Sequence, residues 1–143
     1  MALYRADAED WIDERIQHRT EQPHETTFAI RRASGRLIGV VGADDLDVGA
    51  SHRARIGYWL AKPYWNRGIM TDAVSRYVDY AFAELAVVRL TAEVFARNEA
   101  SARVLQKVGF VQEGRLRRHR EKDGDRMDVL YFGLLRTDLE DDF

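Results

Sequence analysis

Apolar and polar residues recur along the chain with two different periods, and these periods predict helices and strands. Residues 69–85 place apolar side chains at every third or fourth position, which predicts a long amphipathic helix. Residues 99–108 show the same period over a shorter stretch, and Gly109 follows them in the position of a helix C-cap. A third stretch with helical spacing, residues 7–18, predicts a short helix near the start of the chain.

Strands are predicted where β-branched and apolar residues alternate with polar ones or form short runs bounded by turn residues. Residues 33–36 join the first two strands in a hairpin, residues 44–54 form a polar connection, and an Asp-Gly pair at 123–124 turns the last hairpin. The order of helix, hairpin, strand, helix, strand, helix and hairpin indicates an α+β fold around one mixed sheet. The predicted strands are 26–31, 37–42, 55–60, 89–95, 114–120 and 126–135.

Composition narrows the classes of protein that fit this order. The 143 residues are 45% hydrophobic and 32% charged, a balance typical of one globular domain over residues 1–143. The absence of cysteine excludes disulfides, thiolate metal sites and cysteine nucleophiles, and the four histidines lack metal-ligand spacing, so we expect no metal. A formal net charge of −2 gives no general attraction to nucleic acid. Without a membrane-length apolar run or a signal-peptide core, we expect a cytoplasmic protein that does not enter membranes.

The start of the long helix is a candidate anion site. The run Arg67-Gly68-Ile69-Met70 leads into this helix, and backbone N–H groups at a helix N-terminus attract negative charge. A single glycine does not make a phosphate-loop motif. The competing interpretation is an ordinary turn in which Thr71 or Asp72 caps the first helical turn.

The most specific stretch of the chain runs from Asn98 to Phe110. Asn98 follows a predicted strand and precedes the shorter helix, Ser101 lies in the first turn, and Gly109-Phe110 ends it. Taken singly, these residues are explained by helix capping alone. Their functional interpretation depends on a second motif upstream.

Together the two segments resemble the GNAT acetyltransferase superfamily, and more narrowly its ribosomal-protein N-terminal (Rim-type) branch. Members carry a Tyr-Trp-x-x-Gly loop, found here as Tyr64-Trp65-Asn66-Arg67-Gly68, and an Asn-x-x-Ser-x-x-(Val/Leu)-Leu-x-Lys-x-Gly-Phe helix, found here at 98–110. The strand at 56–60 and the last hairpin also match, so the resemblance covers about residues 25–137. It implies a GNAT-like domain with a mixed, largely antiparallel central sheet and helices on both faces. The strand and helix with which such domains begin have no room here, and a second subunit in a homodimer is expected to complete the acceptor side.

The resemblance also implies a cleft for acetyl-CoA between the strand ending at Leu60 and the strand starting at Arg89. The N–H groups of 67–71 would hold the pyrophosphate, those of the 57–60 strand would polarise the thioester carbonyl, and Asn98 would bind the pantetheine arm. Arg103 either reaches a phosphate or is an exposed helix charge. The implied cofactor residues are Tyr58, Trp59, Leu60, Arg67, Gly68, Ile69, Met70, Thr71, Asn98 and Arg103.

Acetyl transfer to an amine needs a base for the amine proton and an acid for the leaving thiolate. Glu93, in the middle of a strand, matches a glutamate that serves as the base in some related enzymes; the alternative is a strand glutamate paired with a neighbouring arginine. His119 is a second candidate base. Because Leu105 occupies the position where many members carry a tyrosine acid, Ser101 is the candidate proton donor.

The resemblance therefore implies an N-acetyltransferase that moves an acetyl group from acetyl-CoA directly to a primary amine, on a small molecule or a protein N-terminus. The alternative is a non-catalytic acyl-CoA-binding or interaction module. A local arginine cluster remains, which we interpret first as cross-strand ion pairs and second as a surface that steers an acidic acceptor. The acidic end of the chain, 138–142, is expected to be a solvated tail. The cluster consists of Arg115, Arg117, Arg118 and Arg120.

Overall fold

The computed structural model describes residues 11–16, 26–47, 49 and 52–140. Seven strands form one sheet in the order β1-β2-β3-β4-β5-β7-β6, and every neighbouring pair is antiparallel except β4 and β5. The mixed, largely antiparallel α+β fold is thus confirmed. The strands are β1 Trp11–Ile16, β2 Thr27–Arg32, β3 Leu37–Asp47, β4 Arg53–Leu60, β5 Arg89–Phe95, β6 Val111–Lys122 and β7 Asp125–Leu135; the helices are α1 Ile69–Glu84, α2 Glu99–Val108 and α3 Arg136–Glu140.

The two longer helices, α1 and α2, pack on one face of the sheet, which we call the helix face. Phe28 of β2 meets the rings of Tyr77 and Tyr80 of α1 edge-on, at centroid distances of 5.9 and 4.9 Å. The Tyr77 hydroxyl donates to the Thr26 carbonyl at 2.5 Å, which ties α1 to the start of β2. Leu105 of α2 is fully buried in the same core. These contacts fix both helices against the strands that carry the site.

The opposite face carries Arg55, Thr91 and Glu93, because successive residues of a strand point to opposite sides. We call it the open face, since no described helix of eight or more residues covers it. Helices on both faces therefore stay a prediction for the part of the chain outside the described residues. Within them, α1 and α2 share one face.

The sheet divides between its two parallel strands. β4 and β5 pair at only three positions, from Arg53 opposite Arg89 to Arg55 opposite Thr91. Beyond this point β4 stays paired with β3 and β5 with β7, but not with each other. A cleft therefore opens through the sheet between the two strands where the family resemblance implied one.

The first described segment differs from its prediction. Residues 7–18 were expected to be helical, whereas Trp11–Ile16 is a strand that pairs antiparallel with β2. The free edge of β2 supplies hydrogen-bonding partners for the segment, and such tertiary pairing overrides a weak helical period. The fold therefore has a first strand where we expected none; the rest of the predicted helix lies outside the described residues.

One polar segment was also assigned wrongly. The predicted connection 44–54 is largely strand, because β3 continues to Asp47 and β4 begins at Arg53. Pairs of opposite charge stabilise this extension of the two strands, because Asp44 lies opposite Arg55 and Asp47 lies opposite Arg53. The acidic end, expected to be solvated, is exposed over residues 138–140 and forms part of α3, where the Asp138 carboxylate accepts the Leu135 N–H at 2.9 Å; residues 141–142 lie outside the described residues.

Candidate functional site

A cleft of about 470 Å³ lies between the end of β4 and the N-termini of α1 and α2. It contains all ten residues predicted to hold the cofactor, and Ser101 lines it as well. The two motifs, some thirty residues apart in sequence, thus meet in one space. The predicted lining residues are Tyr58, Trp59, Leu60, Arg67, Gly68, Ile69, Met70, Thr71, Asn98, Ser101 and Arg103.

The N-terminus of α1 presents unpaired backbone N–H groups to this cleft. Gly68 is the N-cap, with a left-handed φ of 76° that glycine adopts without strain. Among the described residues, the N–H groups from Asn66 to Thr71 donate to no backbone carbonyl, and helical bonding begins with Asp72, whose N–H donates to the Gly68 carbonyl at 3.1 Å. The N-cap residue Gly68 has no side chain to cap this end, and the Asp72 carboxylate in the first turn bonds to Arg76 at 3.2 Å. The anion-site geometry is therefore present, and its use for binding stays a prediction beside the ordinary-turn interpretation.

The aromatic residues of the loop before α1 make contacts that connect it to its surroundings. The Trp65 indole N–H donates to the Leu60 carbonyl at 2.7 Å, which bridges the loop back to the end of β4. The guanidinium of Arg67 lies 5.5 Å from the centre of the Tyr64 ring. Met70 is only 8% exposed and belongs to the core, so its side chain is accommodated there.

The N-terminus of α2 is capped by Asn98. Its side-chain oxygen accepts the Ser101 N–H at 3.1 Å, as the structural interpretation of this residue required. The amide NH₂ of Asn98 has no described partner and remains a donor beside the cleft. Gly109 ends the helix with a φ of 117° and donates to the Leu105 and Gln106 carbonyls, which confirms the predicted C-cap.

A pair of hydroxyl groups connects β4 to α2 across the cleft. The oxygens of Tyr58 and Ser101 are 2.7 Å apart, and the Tyr58 hydroxyl also lies 3.1 Å from the Ser101 carbonyl. Burial raises the pKa of Tyr58 to about 12, an effect that the hydrogen bond with Ser101 partly offsets. Tyr58 is therefore neutral at physiological pH and can donate a proton or relay one.

Glu93 lies on the open face and does not line the cleft volume itself. Its side chain is 11% exposed, and one carboxylate oxygen contacts Arg55 Nη1 at 2.9 Å while the other lies 3.6 Å from Arg120 Nη2. Arg55 also donates to Asp44 at 2.9 Å, and hydrogen bonds to Asp44 and then Glu93 raise the already high pKa of this guanidinium. The interpretation of Glu93 as a strand glutamate paired with an arginine is therefore confirmed. The catalytic role of Glu93 stays a prediction.

His119 does not reach the cleft. It lies on an exposed bulge of β6 and makes no described hydrogen bond or ion pair. Its role as a second base stays a prediction.

Other functional candidates were missed in the sequence. Lys107 follows Arg103 by one helical turn on α2, a spacing that could have indicated a shared basic face. Arg55 alternates with buried residues along β4, but nothing in the sequence paired it with Glu93 thirty-eight positions away. The lining residues that we did not predict are Tyr64, Trp65, Asn66, Ala100, Val104 and Lys107.

In the described part of the chain, no group of three or more histidine, aspartate or glutamate side chains is arranged to hold a metal ion. None of the described helices is both long enough and apolar enough to cross a bilayer.

Known proteins resemble this chain in sequence. The family model described as the acetyltransferase (GNAT) domain matches residues 2–111. The probable N-acetyltransferase YjcK of Bacillus subtilis is 43% identical over 125 residues, which cover 87% of this chain and 69% of that protein. The putative ribosomal N-acetyltransferase YdaF of the same organism is 35% identical over 106 residues, 74% of this chain and 57% of that one.

Solved structures agree with these matches. Mycobacterium smegmatis RimJ, in complex with CoA-disulfide, superposes with a TM-score of 0.74 at 33% identity, covering 80% of this chain and 55% of RimJ. The ribosomal-protein-S5-alanine acetyltransferase from Vibrio fischeri gives a TM-score of 0.74 at 29% identity, with 81% and 62% covered. The chain thus spans 55–62% of these two proteins. Because the family model matches most of its residues, the chain belongs to the GNAT acetyltransferase family.

Proposed function

We propose that this chain is an N-acetyltransferase that moves an acetyl group from acetyl-CoA to a primary amine while both are bound. The observation that carries the proposal is the cleft, where the free N–H groups at the start of α1 and the Tyr58–Ser101 hydroxyl pair line the same space. Family membership and the CoA complex of the relative RimJ support the same assignment.

The start of α1 is suited to a pyrophosphate. Its N–H groups between Arg67 and Thr71 are unpaired, and the helix dipole adds partial positive charge at the same point. The carboxylate of Asp72 is held by Arg76, which reduces its repulsion of a bound phosphate. In this proposal these backbone groups bind the pyrophosphate of acetyl-CoA.

The start of α2 is suited to the pantetheine arm and the terminal phosphate of acetyl-CoA. The free amide NH₂ of Asn98 donates to a carbonyl of the pantetheine arm, while the side-chain oxygen keeps its capping bond. Arg103 and Lys107, one turn apart, supply positive charge for a terminal phosphate. The backbone of β4 next to Tyr58, Trp59 and Leu60 polarises the thioester carbonyl.

Glu93 is the proposed proton acceptor for the amine. The amine approaches from the open face, its nitrogen bonds to the thioester carbonyl carbon, the carbon–sulfur bond breaks, and the surplus proton passes to Glu93 directly or through water. An incoming ammonium group must compete with Arg55 for the same carboxylate, so this ion pair has to rearrange during binding. His119 is kept as the second candidate base.

Ser101 is the proposed proton donor for the leaving thiolate. Its hydroxyl shares a hydrogen bond with Tyr58, which is protonated before transfer. As Ser101 gives its proton to the thiolate it takes the proton of Tyr58, and water then reprotonates the Tyr58 phenolate. A thiolate of CoA is already a tolerable leaving group, so the contribution of this pair is expected to be modest, about tenfold.

The direct test combines binding and turnover. We expect calorimetry to detect CoA binding, and thiol release from acetyl-CoA to depend on an added amine. The non-catalytic alternative rests on the ion pair that already occupies Glu93, and it predicts CoA binding with no thiol release for any amine. Failure to bind CoA contradicts both functions.

Location and assembly belong to the same proposal. We place the enzyme in the cytoplasm, where acetyl-CoA is available, and infer a homodimer whose second subunit adds to the open face. Sedimentation velocity at micromolar concentration tests the dimer, and a strictly monomeric protein with full activity contradicts it.

A further inference from the structure

Gly57 lies in the middle of β4, where the fold itself does not require a glycine. Its φ is outside the left-handed region, and a Cβ added to it would meet no described atom within 4 Å. Gly42, directly opposite on β3, differs, because a Cβ there would lie 2.8 Å from the Thr26 carbonyl oxygen. A glycine inside a strand costs stability, since it has no side chain to pack. The β3–β4 register has no bulge at this point, which leaves close approach by a bound molecule as the reason for the glycine.

The space left by Gly57 is on the open face. Arg55, two residues before it in β4, contacts Glu93 on that face at 2.9 Å. The two neighbours of Gly57 point the other way, because Ile56 is buried in the core beneath the helices and the Tyr58 hydroxyl bonds to α2. Side chains alternate regularly along an unbulged strand, so a Cβ at Gly57 would point to the side of Arg55 and Glu93.

Gly57 and Glu93 lie on opposite sides of the gap between β4 and β5. The last paired residues of these strands are Arg55 and Thr91, and the same register continued by two residues would set Gly57 opposite Glu93. In the proposed reaction the amine nitrogen gives its proton to Glu93 while it bonds to the thioester carbon beside β4. The space at Gly57 is therefore next to the point at which the amine reacts.

The open face is uncharged on the β4 side of this gap. Trp59, the next residue of β4 on the same face as Gly57, is a large aromatic residue that is nevertheless 56% exposed. Val40 lies opposite Trp59 and Gly42 opposite Gly57, so two successive cross-strand pairs carry no charge. The site thus offers a carboxylate, Glu93, on one side of the gap and an apolar surface on the other.

We propose that Gly57 and Trp59 form an apolar acceptor subsite, so that the preferred acceptor is a primary amine that carries an apolar group close to its nitrogen. The inference rests on the acetyltransferase function proposed above and names the residues that select its acceptor. Glu93 receives the amino group, the missing side chain of Gly57 leaves room for the first carbons of the substituent, and the exposed ring of Trp59 contacts the apolar group.

The first test compares ethylamine, isobutylamine and phenethylamine, which each carry one positive charge, with spermidine and aspartate as polar acceptors. The ammonium groups of the first three are alike, so differences in kcat/KM report the substituent. We expect kcat/KM, measured by thiol release from acetyl-CoA, to be about tenfold higher for phenethylamine than for ethylamine. Equal values, a preference for ethylamine, or transfer confined to spermidine or aspartate overturns the apolar subsite.

The variant Gly57→Ala adds only the missing Cβ. We expect kcat/KM for phenethylamine to fall about tenfold, mainly through a higher KM, and the loss to be smaller for ethylamine, whose substituent is shorter. The KM for acetyl-CoA and the calorimetric affinity for CoA should not change. Tm should not fall, because alanine fits both the backbone conformation and the open space at this position. A lower Tm assigns Gly57 a structural role and overturns the inference.

Gly114→Ala is the matched control. Gly114 also has open space where a Cβ would be added and a φ outside the left-handed region. It lies opposite Tyr131, which in turn lies opposite Glu93, so it shares the open face. Because Gly114 is on β6 at the edge of the sheet, away from the gap, we expect kcat/KM for every amine to stay unchanged. A loss equal to that of Gly57→Ala shows that position 57 has no special role.

The outcomes separate the subsite from the proposed function. If Gly57→Ala keeps the kcat/KM of the unaltered chain for phenethylamine, the subsite is overturned while the acetyltransferase function stands. If the variant loses activity with butyryl-CoA as the donor but keeps its kcat/KM for the amines with acetyl-CoA, the space at Gly57 belongs to the acyl group, and the subsite is again overturned. Absence of thiol release with every amine overturns both proposals.

Discussion

Two regions of the site use different kinds of chemical group: the cofactor side at the start of α1, and the acceptor side on the open face around Glu93. At the start of α1 the functional groups are backbone N–H donors, set by one left-handed glycine and the end of a helix. On the open face they are side chains from three strands, Glu93, Arg55 and Arg120, held by ion pairs. A backbone site tolerates changes of side chain but not of conformation, whereas a side-chain site responds to each substitution. Variants can test this contrast.

The largest effect is expected on the acceptor side. Glu93→Gln keeps the shape but removes the negative charge that takes up the proton, so kcat/KM should fall about 100-fold, within the usual range for a general base. CoA affinity should stay within about twofold, as measured by calorimetry. Glu113→Gln is the matched control, because Glu113 pairs with Arg89 elsewhere on the sheet. Full activity of Glu93→Gln over the pH range contradicts our assignment of the base.

The cofactor side should respond to backbone strain alone. Gly68 has a φ of 76° and open space where a Cβ would be added, so Gly68→Ala meets a conformational penalty rather than a clash. That penalty, about 1–2 kcal/mol, shifts the loop and should weaken CoA binding about tenfold. Gly124→Ala is the control, since Gly124 has a φ of 84°, equally open space and a place in a distant turn. Equal CoA affinities for the two variants would remove the special role of the α1 start.

Asn98 is the exception that sharpens the contrast, because its side chain serves both the helix and the cofactor. Asn98→Asp keeps the capping oxygen and loses the NH₂ donor, so stability should hold while CoA affinity falls about threefold to tenfold. Asn98→Ala should lose the same affinity and, in addition, about 1 kcal/mol of stability. Denaturant unfolding and calorimetry measure the two effects separately. If Asn98→Asp binds CoA fully, Asn98 is a cap only.

At neutral pH the smallest effect concerns Tyr58, whose hydroxyl bonds to Ser101 in the cleft. Its pKa is raised by burial to about 12 in the folded chain against an ordinary value near 10, so the unfolded chain loses this proton first as pH rises. The stabilisation that the protonated Tyr58 hydroxyl gives to the folded chain is complete below pH 10 and is lost between about pH 10 and 12. Relative to Tyr58→Phe, the chain should therefore lose roughly 1 kcal/mol of stability per pH unit above pH 10. If the free energy of unfolding changes with pH in the same way for the unaltered chain and for Tyr58→Phe, the Tyr58 hydroxyl is not buried as described.

Sequence patterns predicted the helix starts that form the cofactor side. Asn98 and Gly109 act locally, within a few residues, so their positions were evident without knowledge of tertiary structure. The Arg55–Glu93–Arg120 contacts were not predictable, because they depend on which strands become neighbours. Trp11–Ile16 shows the same limit: its strand depends on the free edge of β2 rather than on its own spacing.

The short pairing of β4 with β5 gives this sheet two edges in its interior. After Arg55 and Thr91, each strand turns a row of N–H and C=O groups toward the gap. Trp65 satisfies the Leu60 carbonyl, and water or a bound molecule must satisfy the others. An edge of this kind prefers an extended molecule with amide groups at regular intervals, because such a molecule can bond as a strand would. A ligand bound in the gap between β4 and β5 should therefore slow hydrogen exchange at the amides of residues 56–60 and 92–95, and this slowing would report ligand binding.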